Sequence, residues 1–318
     1  MRTFVEVVLL VAGFVLLIKG ADILVDASVG IAKRFKIPNV VIGLTIVAMG
    51  TSMPEMVVSI SAAIKGANTM AVGNAVGSNI FNLLLVLGLC SLFKPIPIKF
   101  KDIARDYWLS VGAAVFLLVI VVVFKNSIPR LGALALFVAF VAYMVVLVRQ
   151  ALKNRNEGAQ TEAGEGGDTQ KPLLKSVFFA VLGIGLIVAG GQLTVINATN
   201  IAITIGITER VIGLTIIALG TSLPELVTSL VAIKKGADGI AVGNVVGSNI
   251  FNIMLVLGLS GTIKPLTIDG NLAIDIAVLI LGSLAVLPLA VSGKKLVRFE
   301  GLFMVLIYAA YMVFLAAA

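Results

Sequence analysis

Apolar residues fill ten long runs along this chain, near 4–32, 38–64, 68–93, 104–124, 130–149, 174–205, 210–233, 239–263, 271–292 and 299–317, with short polar breaks between them. Each run has about the 20 apolar residues that a helix needs to cross a bilayer. None alternates with the period of two expected of a barrel strand. The pattern therefore predicts an all-α polytopic membrane protein with ten transmembrane helices, not a β-barrel. The first and sixth runs exceed one perpendicular crossing, which predicts strongly tilted helices. Arg2 before the first run gives it a superficial likeness to a signal peptide, but the run continues to Lys33 and carries Lys19, Asp22 and Asp26. It is read as the first membrane helix.

The runs form two sets of five. Residues 39–98 align without a gap on residues 209–268 at an offset of 170, with 37 of 60 positions identical, and Val-Gly-Asn-x-Val-Gly-Ser-Asn-Ile-Phe-Asn occurs at 72–82 and 242–252. Such self-similarity marks an internal repeat. Five crossings per half turn the second half upside down, so the expected organisation is two inverted five-helix repeats, 1–150 and 173–318, joined by a linker at 151–172. Transporters built this way hold their substrate at the repeat interface near the bilayer midplane. From Asn154 to Pro172 the linker is rich in Gly, Gln, Thr and Glu and is expected to be a flexible tether. Its acids Glu157, Glu162, Glu165 and Asp168 lack the Asp/Asn spacing and central glycine of an EF-hand loop, and are read as solvated.

Composition strengthens the membrane reading. The chain is 59% hydrophobic and 13% charged over 318 residues, with mean hydropathy +1.13, against an apolar share of ~45–50% in soluble domains. The net charge of +8 changes meaning once sorted by loop. Lys33, Arg34, Lys36, Lys94, Lys99, Lys101, Arg105, Arg149, Lys234, Lys235, Lys294, Lys295 and Arg298 fall on one side with the linker's bases; Arg2, Lys65, Lys125, Arg130, Arg210 and Lys264 fall on the other. The positive-inside rule places the linker in the cytoplasm and both termini outside. The charge thus reports topology and lipid, not nucleic acid. Cys90 is the only cysteine and there is no histidine, which excludes an internal disulfide and a thiolate cluster. Cys90 is read as a packed thiol, its counterpart being Ser260.

The chemistry lies in a stretch that occurs twice, Gly50-Thr51-Ser52-Met53-Pro54-Glu55 and Gly220-Thr221-Ser222-Leu223-Pro224-Glu225. Proline removes a donor and clashes with the carbonyl four residues earlier, so each helix should break here and free the carbonyl of Gly50 or Gly220. Broken helices persist at membrane depth only where they line a protein cavity. Thr51, Ser52, Thr221 and Ser222 add hydroxyls, and Glu55 and Glu225 add charge. An acid at a helix centre costs roughly 2.5–3.5 kcal/mol. No lysine or arginine occurs in 38–64, 66–93, 211–233 or 236–263. Bound cations or protons must therefore neutralise the pair.

Hard oxygen ligands without His or Cys suit alkali and alkaline-earth ions. Two glutamates balance one calcium ion or two sodium ions, so the two cations should exclude each other, which is the basis of exchange. On the third and eighth spans, Ser78 with Asn82 and Ser248 with Asn252 lie four apart on one helix face. Gly73, Gly77, Gly243 and Gly247 form small-xxx-small faces that allow close packing. Structural hydrogen bonding between helices would account for one such residue; recurrence beside a glutamate motif favours ligation.

The paired G-T-S-x-P-E and G-N-x-x-G-S-N-I-F-N strings resemble the α-repeats of the sodium/calcium exchangers, in the calcium/cation antiporter superfamily, and the chain resembles a compact prokaryotic member. The resemblance implies four clustered cation sites in a prokaryotic cell membrane protein. Glu55 and Glu225 would be the shared ligands at the calcium position, with oxygens from Thr51 and Thr221. One outer sodium site would use Ala48 carbonyl, Thr221, Ser222 and Ser248, and the opposite one Thr51, Ser52, Ser78 and Ala218 carbonyl, with Asn82 and Asn252 flanking the middle. Some members carry aspartate where this chain has Asn252, and an acid there is tied to potassium co-transport in one branch, so potassium dependence is not expected. Nor is there room in the linker for the regulatory domains of animal exchangers. The expected partners are calcium, sodium and lipid, with no cofactor, no enzymatic activity and no obligatory protein partner. The family's moving elements are thought to be spans one and six.

A proton/calcium exchanger is the nearest alternative, since protons could neutralise the same carboxylates; the duplicated hydroxyls favour sodium. A calcium channel or a non-transporting scaffold fits less well. Lys19, Asp22 and Asp26 lie on one face of span one, where Ala189, Gln192 and Ile196 replace them in span six. They are expected to form a local ion pair or to line an entrance, not to ligate at the centre.

Overall fold

A computed structural model describes residues 2–158, 172–206, 218–268, 272–292 and 295–317. The described residues are almost wholly helical. In order come α1 (Arg2–Phe35), α2 (Asn39–Thr51), α3 (Met53–Lys65), α4 (Asn68–Phe93), α5 (Phe100–Val123), α6 (Arg130–Gly158), α7 (Leu173–Thr204), the short α8 (Ala218–Gly220), α9 (Leu223–Lys234), α10 (Asp238–Ile263), α11 (Leu272–Ser292) and α12 (Arg298–Ala317). Among the described residues eight helices are long and apolar enough to cross a membrane, or nine when α2 and α3, bent by 49°, are counted as one span. The run expected at 210–233 is described only from 218, so its start, with Arg210, lies outside the described residues.

The break between α2 and α3 falls at Ser52, whose φ and ψ of −83° and 6° leave the helical region. Pro54 follows in the first turn of α3, where its missing N–H leaves no helix bond unmade. Ser222 repeats this conformation ahead of α9, with Pro224 in the same place. The expected breaks are thus present.

Burial separates centre from rim. In their most apolar windows α10 is 94% buried and α4 72%, against 28% for α1, α6 and α7. Rim helices turn large apolar side chains outward, among them Val11, Val15, Val138 and Val181, as lipid contact demands. At 34 and 32 residues, α1 and α7 are about 50 Å long, well beyond the ~30 Å hydrocarbon core. They cross antiparallel on glycines: an added Cβ at Gly13 or Gly190 would come within 3.0 Å of the other's backbone oxygen, and Gly20 and Gly183 oppose each other in the same way. Only glycine permits this approach.

Two short ribbons tie sequence-distant segments. β1 (Ile96–Pro97) pairs antiparallel with β4 (Lys295–Leu296), and β2 (Ser127–Ile128) pairs with β3 (Leu266–Thr267). Gly243 and Gly247 press against Val40, Leu44 and Ala48 of α2 as a small-residue face should. For Gly73 and Gly77 the corresponding partners, 210–218, lie outside the described residues or on their edge. One expectation changes: α6 runs to Gly158, so the segment read as linker from 151 begins as helix. Its Ala, Leu, Lys, Arg and Glu are good helix formers. Residues 159–171, with Glu162, Glu165 and Asp168, lie outside the described residues. Cys90 is a buried thiol.

Candidate cation-binding site

The two helix breaks meet the middles of α4 and α10. Ser52 Oγ donates to Glu225 Oε1 at 2.9 Å, and Ser222 Oγ lies 2.9 Å from Glu55 Oε1. Each glutamate is therefore held by the serine of the other half. Both carboxylates are fully buried, and Oε2 of each has no hydrogen-bond partner among the described residues. No ion pair reaches either one among the described residues. Buried carboxyl groups with unpartnered oxygens are hard donors of the kind that suits a hard cation.

Around the carboxylates the contacts recur at the 170-residue offset. Asn74 Nδ2 donates to Glu55 O at 3.3 Å and to Ser59 Oγ at 3.0 Å. Asn244 Nδ2 donates to Glu225 O at 3.4 Å and to Ser229 Oγ at 3.0 Å. The amide oxygens accept from the opposite threonines: Thr51 Oγ1 donates to Asn244 Oδ1 at 3.0 Å and Thr221 Oγ1 to Asn74 Oδ1 at 3.3 Å. The threonines expected beside the glutamates thus bond to asparagines one step further out. A third couple crosses the centre, Asn79 Nδ2 donating to Asn249 O at 3.0 Å and Asn249 Nδ2 to Asn79 O at 3.4 Å.

The remaining expected residues divide. Ser78 Oγ lies 2.9 Å from Ser222 Oγ, and Ser248 Oγ donates to Glu225 Oε1 at 3.4 Å. Asn252 Nδ2 donates to Asn79 Oδ1 at 3.1 Å. Asn82 is buried, and neither its amide nitrogen nor its oxygen has a hydrogen-bond partner among the described residues. Ala48 O accepts the Ser52 N–H at 3.0 Å and the Thr51 hydroxyl at 3.4 Å. Ala218 opens the short helix α8; its side chain and the segment before it lie outside the described residues.

Wide π-helical turns at Phe81–Val86 and Phe251–Leu257 carry Asn82 and Asn252, and a third occupies Gly43–Val47. Such turns insert an extra residue and often mark functional positions. Asn74, Asn244, Asn79, Asn249, Ser59 and Ser229 were not singled out from the sequence, although the asparagines lie inside the duplicated string. Duplication itself was the available signal. Lys19 is not the partner of the α1 acids. Lys235, after α9, takes both, with Nζ 2.7 Å from Asp22 Oδ1 and 2.6 Å from Asp26 Oδ1.

Apolar-faced helices around a buried polar centre define an all-helical integral membrane protein. The profile of the family described as "Sodium/calcium exchanger protein" matches residues 5–149 and 175–317. The chain is 41% identical over 314 residues to the "Putative antiporter CaxA" of Alkalimonas amylolytica, covering 96% of this chain and 97% of that protein. It is 34% identical over 350 residues to the "Sodium/calcium exchanger MaX1" of Methanosarcina acetivorans, with 98% of each covered. A solved structure of the sodium-calcium exchanger NCX_Mj superposes with a TM-score of 0.83 at 32% identity, over 98% of this chain and 99% of that one. The chain belongs to the sodium/calcium exchanger family. It is a membrane antiporter of cations and not an enzyme.

Proposed function

We propose that this protein exchanges sodium for calcium across a prokaryotic cell membrane by alternating access, with the ions bound between Glu55 and Glu225. The observation that carries the reading is the buried carboxylate pair, each member fixed through Oε1 by the opposite serine and left with an unpartnered Oε2. Calcium, or two sodium ions, satisfies that pair in charge and in hard oxygen donors. Ser52, Ser222, Ser78 and Ser248 lie close enough to share in ligation, Thr51 and Thr221 border the cluster, and Asn82 and Asn252 flank it. The carbonyls of Ala48 and Ala218 complete the outer sodium positions.

The fold in this reading is ten crossings in two inverted five-helix halves, 1–150 and 173–318, with both termini outside and the linker cytoplasmic. The recurrence of contacts at one offset and the antiparallel Gly13–Gly190 and Gly20–Gly183 crossings support it. The α1/α7 pair departs from that recurrence: Gly220 faces Val195 and Gly50 faces Ile184, both on α7, where strict symmetry would bring Val25 of α1 to Gly50. An off-centre pair on a reciprocal core suits sliding between two end positions.

Vesicles loaded with sodium and diluted into sodium-free buffer are expected to accumulate calcium, and Glu55→Gln or Glu225→Gln to abolish uptake. Uptake indifferent to both substitutions rejects the site. Uptake driven by a pH gradient in sodium-free buffer assigns the coupling to protons instead.

A further inference from the structure

A cleft of about 170 Å³ opens between α3, α7 and the stretch before α9, lined by Pro54, Val57, Gly191, Gln192, Val195 and Thr221 among others. Thr221 lines it and bonds to Asn74, which in turn holds the Glu55 carbonyl, so the cleft reaches the border of the glutamate cluster. At the 170-residue offset its α7 wall, Gly191, Gln192, Val195 and Ile196, corresponds to Ala21, Asp22, Val25 and Asp26 of α1. Pro54, Val57 and Val58 correspond to Pro224, Val227 and Thr228. The counterpart cleft would therefore run between α1 and α9.

That counterpart is shut. Ala21 and Val25 are wholly buried, and so is Thr228, whose hydroxyl has no partner among the described residues. Across the mouth, Lys235 Nζ binds Asp22 Oδ1, Asp26 Oδ1 and, at 3.0 Å, the Asp22 carbonyl. Partial burial draws this ammonium down, but the two aspartates more than offset it and hold it above the usual lysine range. The open side has no equivalent: Lys65 corresponds to Lys235, but Gln192 and Ile196 stand where the acids would have to be.

We propose that Lys235 with Asp22 and Asp26 is a one-sided gate latch. It ties the α1/α7 pair to the end of α9 while the Pro54–Gly191 cleft is open, and it must break before the α1/α9 cleft can open. The latch rests on the alternating-access reading above. Because α1 and α7 meet backbone to backbone at their glycines, a tether on α1 restrains both. An ion pair with two acceptors, partly shielded, shifts such an equilibrium by about five-fold.

The test uses the full chain in detergent, with Cys90→Ser as background and one reporter at a time, Val57→Cys in the open cleft or Val227→Cys at the matching position of the shut one. The readout is the ratio of their labelling rates with N-ethylmaleimide, in sodium and in calcium. Lys235→Met, and Asp22→Asn with Asp26→Asn, are expected to raise Val227→Cys labelling about five-fold relative to Val57→Cys. Lys235→Arg should keep the parental ratio. An ion-dependent ratio that neither latch variant moves overturns the latch alone; a ratio that neither ions nor variants move overturns the alternating clefts as well. A rise in both reporters together signals general loosening and also overturns the latch.

Discussion

Asn244 shows how much one side chain can hold. Its amide donates to the Glu225 carbonyl and to Ser229 and accepts from Thr51, fixing the acid's backbone and linking it to the other half's helix break. Removing it leaves buried groups unpaired, at ~1–3 kcal/mol each. Asn244→Ala is expected to lower the unfolding midpoint in detergent by more than Ser59→Ala, which leaves Asn74 its bond to Glu55 O; equal effects would contradict that role. The glutamates and serines were legible because a carboxylate, hydroxyls and a proline are too costly in an apolar run to sit there idle. The asparagines and Lys235 were not, because their partners lie 147 to 213 residues away or in another helix, and spacing within one helix carries no trace of such pairs.

At the scale of elements, run lengths foretold the helices well, and the proline motif foretold the bend of 49°. The wide turns at Phe81 and Phe251 were hidden, since one extra residue in a uniformly apolar helix leaves no mark on its hydrophobic pattern. Of the two residues expected on one face there, Ser78 reaches Ser222, whereas the Asn82 amide stays unpartnered among the described residues. The glycines of α1 and α7 offer a sharp test. A Cβ at Gly20 or Gly190 would meet backbone atoms at 2.8 and 2.6 Å, whereas one at Gly185 meets nothing within 4 Å. Overpacking costs about 1–3 kcal/mol. Gly20→Ala and Gly190→Ala should each depress the unfolding midpoint and slow exchange, with Gly185→Ala near the parent; similar midpoints for all three would contradict the close crossing.

For the whole molecule, ion binding and stability are linked. A calcium ion that binds only the folded protein adds about 2.7 kcal/mol when present at 100 times its dissociation constant. Calcium should raise the melting midpoint, saturating sodium should erase that calcium-specific rise, and Glu225→Gln should remove it. A midpoint that rises additively with both ions would show that they do not compete for one site. The latch on Lys235 belongs to this scale too, because it biases which mouth of the molecule faces solution.

The two ribbons bear on how the chain is made. β1, at Ile96–Pro97, pairs with β4, at Lys295–Leu296, and β2 waits for β3 at Leu266–Thr267. Each ribbon thus joins a strand of the first half to one of the second. During synthesis the early helices must sit in the membrane with open strand edges until nearly the last crossing emerges, and open edges invite mispairing. A chain cut short before residue 295 therefore leaves β1 without its partner.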